Sequence, residues 1–313
     1  MKTCLLLTIC LLGASAIVQA GTIRHDRADS AYISLAASPA FSSVGKIRSS
    51  TPSSNFLASG TLIASDWILT AAHVVDRATS LSFQIGGRSY SASRWVPHPQ
   101  WNGNLAAGFD IALVQLSSPV VGITPATRYT GTNELGAVGI SVGFGKTGQG
   151  LDGFTRLDGL KRAGENVIDR FYPGSNNRIF ISDFDNPNYY GESKFGSFVP
   201  TDLEYLIAPG DSGGGVFINF GQGPMLAGVH SFVSATDGRI NSDYGDVSGH
   251  TRVSVFNSWI NSILRGSFTS AGLGKLTRTS SALIAQSAVP EPATSLLSLM
   301  IAAIAASRFR KQR

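Results

Sequence analysis

The sequence predicts an all-β globule, a barrel or sandwich of many short strands, with one helix at its C-terminal edge. Three observations predict it. From Phe56 onward, short β-type runs alternate with clusters of Gly, Asn, Ser and Pro. Charged residues make up only 14% of the chain while glycines number 35, a balance that suits a turn-rich protein better than a helical or disordered one. Helical spacing is convincing once, where Val253, Phe256, Trp259, Ile260 and Ile263 fall on one face.

In chain order, residues 1–20 combine Lys2, an apolar run from Leu5 to Leu12, and Val18-Gln19-Ala20 before Gly21. A basic start, an apolar middle and small residues at the cut describe a secretory signal peptide, removed by signal peptidase. Ile9 before Cys10 argues against lipidation. Residues 21–55 are polar and rich in Ser and Ala, and no element is assigned there. Strands are expected at Gly60–Ile63, Leu81–Ile85, Ser89–Val96, Ile111–Leu116, Ala137–Phe144, Arg178–Ser182, Gly215–Phe220 and Met225–Val233. The globular domain is expected to span 21–265. Residues 266–288, small and polar without a period, read as a linker.

Composition excludes some functions. Most of the formal net charge of +5 belongs to the ends, where Lys2, Arg308, Arg310, Lys311 and Arg313 outweigh Glu291. The body is nearly neutral and carries no footprint for nucleic acid. Both cysteines, Cys4 and Cys10, lie within 1–20, so the exported body is expected to hold no disulfide although its compartment would permit one. His25, His98, His230 and His250 lack metal-ligand spacing, and no metal or cofactor is expected. Gly143-x-Gly145-x-x-Gly148 matches a dinucleotide fingerprint in letters, but glycine-rich Gln149–Gly153 follows where a helix should open.

Three motifs carry chemistry. Ser59-Gly60-Thr61-Leu62-Ile63 leads to Trp67-Ile68-Leu69-Thr70-Ala71-Ala72-His73; then come Gly108-Phe109-Asp110-Ile111-Ala112-Leu113 and Pro209-Gly210-Asp211-Ser212-Gly213-Gly214-Gly215. A serine hydroxyl is almost un-ionised at neutral pH and needs a base. An imidazole titrates near that pH and can take the proton and return it, while a carboxylate fixes its tautomer. Gly210 and Gly213 allow a sharp turn around Ser212, and the N–H groups of Gly210 and Ser212 can converge on a developing oxyanion. Each such donor is typically worth about 3 kcal/mol of transition-state stabilisation. A lone histidine is usually structural and a lone Gly-Asp-Ser-Gly can be a mere turn. Three motifs with their flanks are what single out His73, Asp110 and Ser212.

Over roughly residues 55–263 the chain resembles a trypsin/chymotrypsin-type serine protease. It shares Thr70–His73, Asp110–Leu113 and Gly210–Gly214 in the order His, Asp, Ser, together with Gly143-Phe144-Gly145, Gly228–Phe232 and the closing helix. The resemblance implies two six-stranded antiparallel β-barrels with the site in the cleft between them, His73 and Asp110 from the first and Ser212 from the second. It implies hydrolysis of polypeptides through an acyl-enzyme. Ala58, Val74 and Ala208 stand where relatives often carry cysteine, and Gly215 where proline is common. No Ile-Val-Gly-Gly-type start is found. In relatives a freed N-terminal amine pairs with the carboxylate matching Asp211; here signal cleavage exposes Gly21-Thr22-Ile23, and the partner of Asp211 is left open.

By the same alignment Leu206 forms the base of the primary specificity pocket, Ser231, Phe232 and Val233 one wall, and a residue near Ser248 another. With no carboxylate at the base, a buried substrate cation would go unpaired, and a small or medium apolar preference is expected. A non-catalytic adhesion module on a protease fold and a serine esterase stay open as alternatives.

The tail has three parts: Val289-Pro290-Glu291-Pro292, an apolar stretch Ala293–Ala306, and the basic Arg308–Arg313. The stretch is short for a stable span, and the basic end is expected to stay cytoplasmic. Residues 289–313 resemble a PEP-CTERM sorting signal. That implies a Gram-negative envelope, a precursor held transiently in the membrane, processing by an exosortase-type enzyme, and delivery to the cell surface or extracellular matrix.

Overall fold

A computed structural model describes residues 21–266. The expected signal peptide at 1–20, the expected linker beyond its first residue and the expected sorting segment at 289–313 all lie outside the described residues.

The first half of the chain builds a closed barrel. After β1 (Gly21–Ile23) and α1 (Asp29–Ala36) come β2 (Val44–Ser50), β3 (Asn55–Ala64), β4 (Trp67–Thr70), the single-turn α2 (Ala72–Val75), β5 (Ser80–Ile85), β6 (Arg88–Pro97) and β7 (Ala112–Leu116). Strands β2-β3-β4-β7-β6-β5 close on themselves, β2 pairing with β5, and every pairing is antiparallel. Closure leaves no unpaired edge. Inward positions are filled by Ile47, Leu62, Ile68, Leu69, Phe83, Leu113 and their neighbours.

The second half is an open, curled sheet. It comprises β8 (Val138–Gly143), β9 (Lys146–Gln149), β10 (Gly153–Leu157), β11 (Arg162–Val167), β12 (Arg170–Phe171), β13 (Ile179–Asp183), β14 (Tyr205–Leu206), β15 (Gly215–Ile218), β16 (Met225–Ser234) and β17 (Val247–Arg252), and α3 (Val253–Leu264) follows. Seven strands run in the order β11-β8-β15-β16-β17-β13-β12, so this half is a curled sheet where the first is a closed barrel. A separate four-stranded sheet, β10-β9-β1-β14, brings the start of the chain into the second half, with β1 parallel to β9 and antiparallel to β14.

The expected strands all lie on observed ones, within a residue or two at most ends; β3 starts earlier and β15 ends earlier than expected. The helix is found as expected, burying Val253, Phe256, Ile260 and Ile263. It caps the first barrel through His98, whose ring stacks on Phe109 at 5.1 Å and meets Phe256 and Trp259 edge-on at 5.0 Å each. The unassigned stretch 21–55 holds β1, α1 and β2. Ser49 points inward on β2, its hydroxyl bonded to the Val74 carbonyl at 2.9 Å, so a polar residue interrupts the apolar alternation. Ala58 and Val74 are buried and packed as ordinary core residues where relatives would place a cross-link.

Candidate active site

His73 enters on α2, the turn that follows β4. Ala71, Ala72, Val74 and Val75 are buried around it, so the turn is anchored by its neighbours while the imidazole stays 31% exposed. Asp110 lies just before β7 and is wholly buried. Its Oδ1 accepts the His73 backbone N–H at 2.9 Å, and its Oδ2 meets His73 Nδ1 at 2.7 Å. An ionised carboxylate only accepts, so Nδ1 carries the proton and Nε2 keeps the lone pair that a base needs. A third donor is Ser231, whose hydroxyl reaches Asp110 Oδ2 at 2.5 Å. From β17, Thr251 Oγ1 donates to the Asp110 carbonyl at 3.0 Å.

Ser212 sits on the loop between β14 and β15, half-buried. The loop turns through Gly210 at φ 102° and Gly213 at φ 80°, the left-handed region that disfavours a side chain. A Cβ built on Gly213 would overlap the Thr70 hydroxyl and the Ser59 carbonyl, so the loop runs directly against the first barrel. Two bonds from Ser59 tie it there, and a third joins Ser59 to the second half at Phe144. The Ser59 N–H donates to the Ser212 carbonyl at 2.8 Å, Ser59 Oγ donates to the Gly210 carbonyl at 3.0 Å, and Ser59 Oγ accepts the Phe144 N–H at 3.0 Å. Thr70, three residues before His73, donates to the Ser59 carbonyl at 2.9 Å. The hydroxyl-bearing loop and the imidazole-bearing turn are therefore held by one pair of neighbouring strands, β3 and β4. Among the described residues, neither the Gly210 nor the Ser212 N–H donates a hydrogen bond within the chain.

Asp211 points the other way, into the second half, and is fully buried. Its carboxylate accepts N–H groups of Gly145 at 2.7 Å and Ala208 at 2.9 Å, and the Tyr205 hydroxyl at 3.2 Å. Burial pushes its pKa up to about 6, against the pull of those donors and of the Arg162 charge.

Leu206 is buried in a cluster with Phe184 and Tyr244, whose rings lie 4.6 Å apart, and Val233 packs against it. Phe232 is nearly buried, 5.8 Å from the Tyr172 ring, and covers Gly249 so closely that a Cβ there would overlap its ring. Ser248 is buried, its hydroxyl bonded to the Ser182 carbonyl at 3.3 Å and to His250 Nε2 at 2.9 Å. Ser231, expected as a pocket wall, turns its hydroxyl to Asp110 instead, so only its backbone is available to a pocket.

Sequence reasoning passed over several buried acids beside this region. Asp169 and Asp183 build the long connection from β13 to β14: Asp183 accepts N–H groups from Lys194 and Phe195, and Asp169 accepts that of Ser197. Burial, and Asp183 after it, raise the Asp169 pKa to about 9; burial raises Asp185 to about 7 and Glu204 to about 8. Among the described residues one group offers three metal-ligand atoms within 4.8 Å, Asp237, Asp243 and Asp246. Asp246 already accepts the N–H groups of Thr236 and Ser242.

A family model described as Trypsin matches residues 36–260. The chain belongs to the trypsin family. Its curated relatives include the chymotrypsin-like elastase family member 1 of Canis lupus familiaris, 30% identical over 222 residues that cover 66% of this chain and 80% of that protein. The human counterpart is 28% identical over 225 residues, with the same coverage of each. Among solved structures, HL collagenase superposes with a TM-score of 0.55 at 21% identity, covering 72% of this chain and 94% of that one, a likeness that speaks to the fold. This trypsin-family fold is mostly β, with one closed barrel, one curled half and a C-terminal helix.

Proposed function

We propose that this trypsin-family protein is an exported serine endopeptidase with His73, Asp110 and Ser212 as its catalytic triad. Ser212 Oγ attacks the scissile carbonyl while His73 Nε2 takes its proton. The carbonyl carbon becomes tetrahedral, and its oxyanion rests on the N–H groups of Gly210 and Ser212. His73 then returns the proton to the leaving amine, leaving an acyl-enzyme that water hydrolyses by the same route. Asp110 keeps the imidazole in its Nδ1–H tautomer and stabilises the imidazolium. The observation that carries this reading is the pair of hydrogen bonds from His73 to Asp110, with the Ser212 loop fastened beside them by Ser59.

The apolar surroundings of Leu206, together with Val233 on the adjoining strand, favour a small or medium apolar residue before the scissile bond. The naming of the relatives as elastases agrees with that choice. Export through the signal peptide and sorting through the PEP-CTERM-like tail complete the proposal, with signal peptidase and an exosortase-type enzyme as processing partners.

A fluorophosphonate probe tests the nucleophile. The purified protein should be labelled and Ser212→Ala should not; equal labelling of both would refute the triad. Turnover of a polypeptide against that of small esters separates a peptidase from an esterase, and an unlabelled protein that binds surfaces would be the adhesion module. A cleavage profile dominated by Arg or Lys would reject the apolar preference. Mature protein whose mass includes Arg313 would reject tail processing.

A further inference from the structure

Beside the nucleophile lies a group that the sequence left without a partner. Asp211 shares with Ser212 the peptide that carries the Ser212 N–H, and it follows Gly210, whose own N–H lies one peptide further back, so the seating of its side chain fixes the first of the two N–H groups assigned to the oxyanion directly and the second through the turn at Gly210. We propose that the Tyr205 hydroxyl, seated by Gly21, is the positioning group that holds the Asp211 carboxylate and thereby the backbone of Gly210 and Ser212, a role that rests on Ser212 being the nucleophile.

Three donors meet the carboxylate: the N–H groups of Gly145 and Ala208, and the Tyr205 hydroxyl. Two are main chain and survive any side-chain replacement. Tyr205 is the one side-chain hydrogen-bond donor to this carboxylate among the described residues. The phenol is wholly buried, and burial, with the negative Asp211 next to it, raises its pKa well above the usual value. It therefore stays protonated and donates, and the carboxylate accepts.

The phenol is also gripped from behind. β1 lies antiparallel to β14, Ile23 opposite Tyr205, and Gly21 packs so tightly on the ring that a Cβ there would overlap the phenol carbon and oxygen. Gly21 is in turn fixed by Thr147, whose hydroxyl donates to its carbonyl at 2.6 Å. The start of the described chain thus braces the ring that braces Asp211. Other charged or titratable groups face this cluster from neighbouring elements. Arg162 on β11 acts through space, its guanidinium bonded to Asp29 on α1 at 2.6 Å and to Asp158 at 3.1 Å. His230 on β16 meets the Asp211 carbonyl at 3.2 Å rather than the carboxylate. Among the described residues the acid's hydrogen-bond donors are two main-chain N–H groups and a neutral hydroxyl, and the Arg162 charge acts on it from a distance.

Tyr205→Phe removes one oxygen and keeps the ring against Gly21. Its kcat on a peptide substrate and its rate of fluorophosphonate labelling should fall about tenfold or more, with KM little changed. The Asp211 midpoint, followed by carboxyl NMR, should rise above that of the unaltered protein, because a donor to the ionised form is gone. Labelling at the unaltered rate with an unmoved midpoint overturns the proposal. Should Tyr205→Phe not fold, Gly21→Ala, which crowds the phenol without deleting it, must lose kcat in the same way or the proposal fails. Acetylating the α-amine of mature protein beginning at Gly21 should leave activity intact; inactivation by that step, with Tyr205→Phe still active, assigns the anchor to the amine and overturns it. Unaltered protein that neither hydrolyses nor labels refutes Ser212 as nucleophile, and the Asp211 midpoints of the two proteins then decide the Tyr205 contact alone.

Discussion

Ser231→Ala removes the third donor to a carboxylate that has no access to water. Asp110 would keep two bonds, both from His73, and its Oδ2 would lose a hydroxyl at 2.5 Å. Hydrogen bonds to charged groups are worth about 1.5–3 kcal/mol net, and each 1.36 kcal/mol is tenfold in rate. If the bond matters most when His73 becomes imidazolium, kcat/KM falls about 10- to 100-fold, mostly through kcat. The assay is steady-state hydrolysis of a peptide substrate alongside the fluorophosphonate labelling rate, which omits deacylation. Ser231→Thr, retaining a hydroxyl, should recover part of the loss. A Ser231→Ala enzyme within twofold of the unaltered one would refute the reasoning. A rise in KM at constant kcat would return the Ser231 side chain to the substrate wall, where the sequence first put it.

Gly213→Ala combines a side chain at φ 80° with overlap on Thr70 and Ser59. Displacing a nucleophile by about 1 Å costs on the order of 100-fold, so labelling should drop at least that far while circular dichroism is unchanged. Arg252→Met should cost about 3–5 kcal/mol in denaturant unfolding, because Glu134 is wholly buried and, among the described residues, its carboxylate would retain the Ser254 hydroxyl alone; adding Glu134→Gln should restore part of it. Stability should peak in mild acid. Asp169, Asp185, Glu204 and Asp246 are held above their unfolded values, to between about 7 and about 9, so their contribution is intact in acid and lost as pH rises. His98 and His230 are held below theirs by burial, to about 4 and about 3, so theirs is lost as pH falls from the unfolded histidine value. Between about pH 4 and 6.5 the four acids outweigh the two histidines, so the midpoint in scanning calorimetry should be highest at about pH 4 and fall towards pH 9; a midpoint that climbs from pH 6 to 9 would contradict this.

The strands carrying the site were legible because each is a local pattern. Ile111–Leu116 alternates next to Asp110, and Thr70-Ala71-Ala72-His73 announces a buried turn with one polar tip. What escaped depends on partners far along the chain. β1 is three residues long and exists because β9 and β14 flank it. Tyr205 reads as one more apolar residue before Leu206 until its hydroxyl is seen to end on Asp211. Ser231 was assigned by strand position alone, which does not say where a hydroxyl will point. Asp169, Asp183 and Glu204 look like ordinary loop acids, since nothing local marks a carboxylate for burial.

Ser59 and Thr70 belong to a barrel that closes on itself, whereas the hydroxyl they secure arrives on a loop of the later sheet. On the proposed triad, a chain in which only the earlier half has formed would own a base and its orienting acid with nothing to activate. Cutting power would then emerge only once both halves are docked, which would spare a half-made molecule from digesting its siblings.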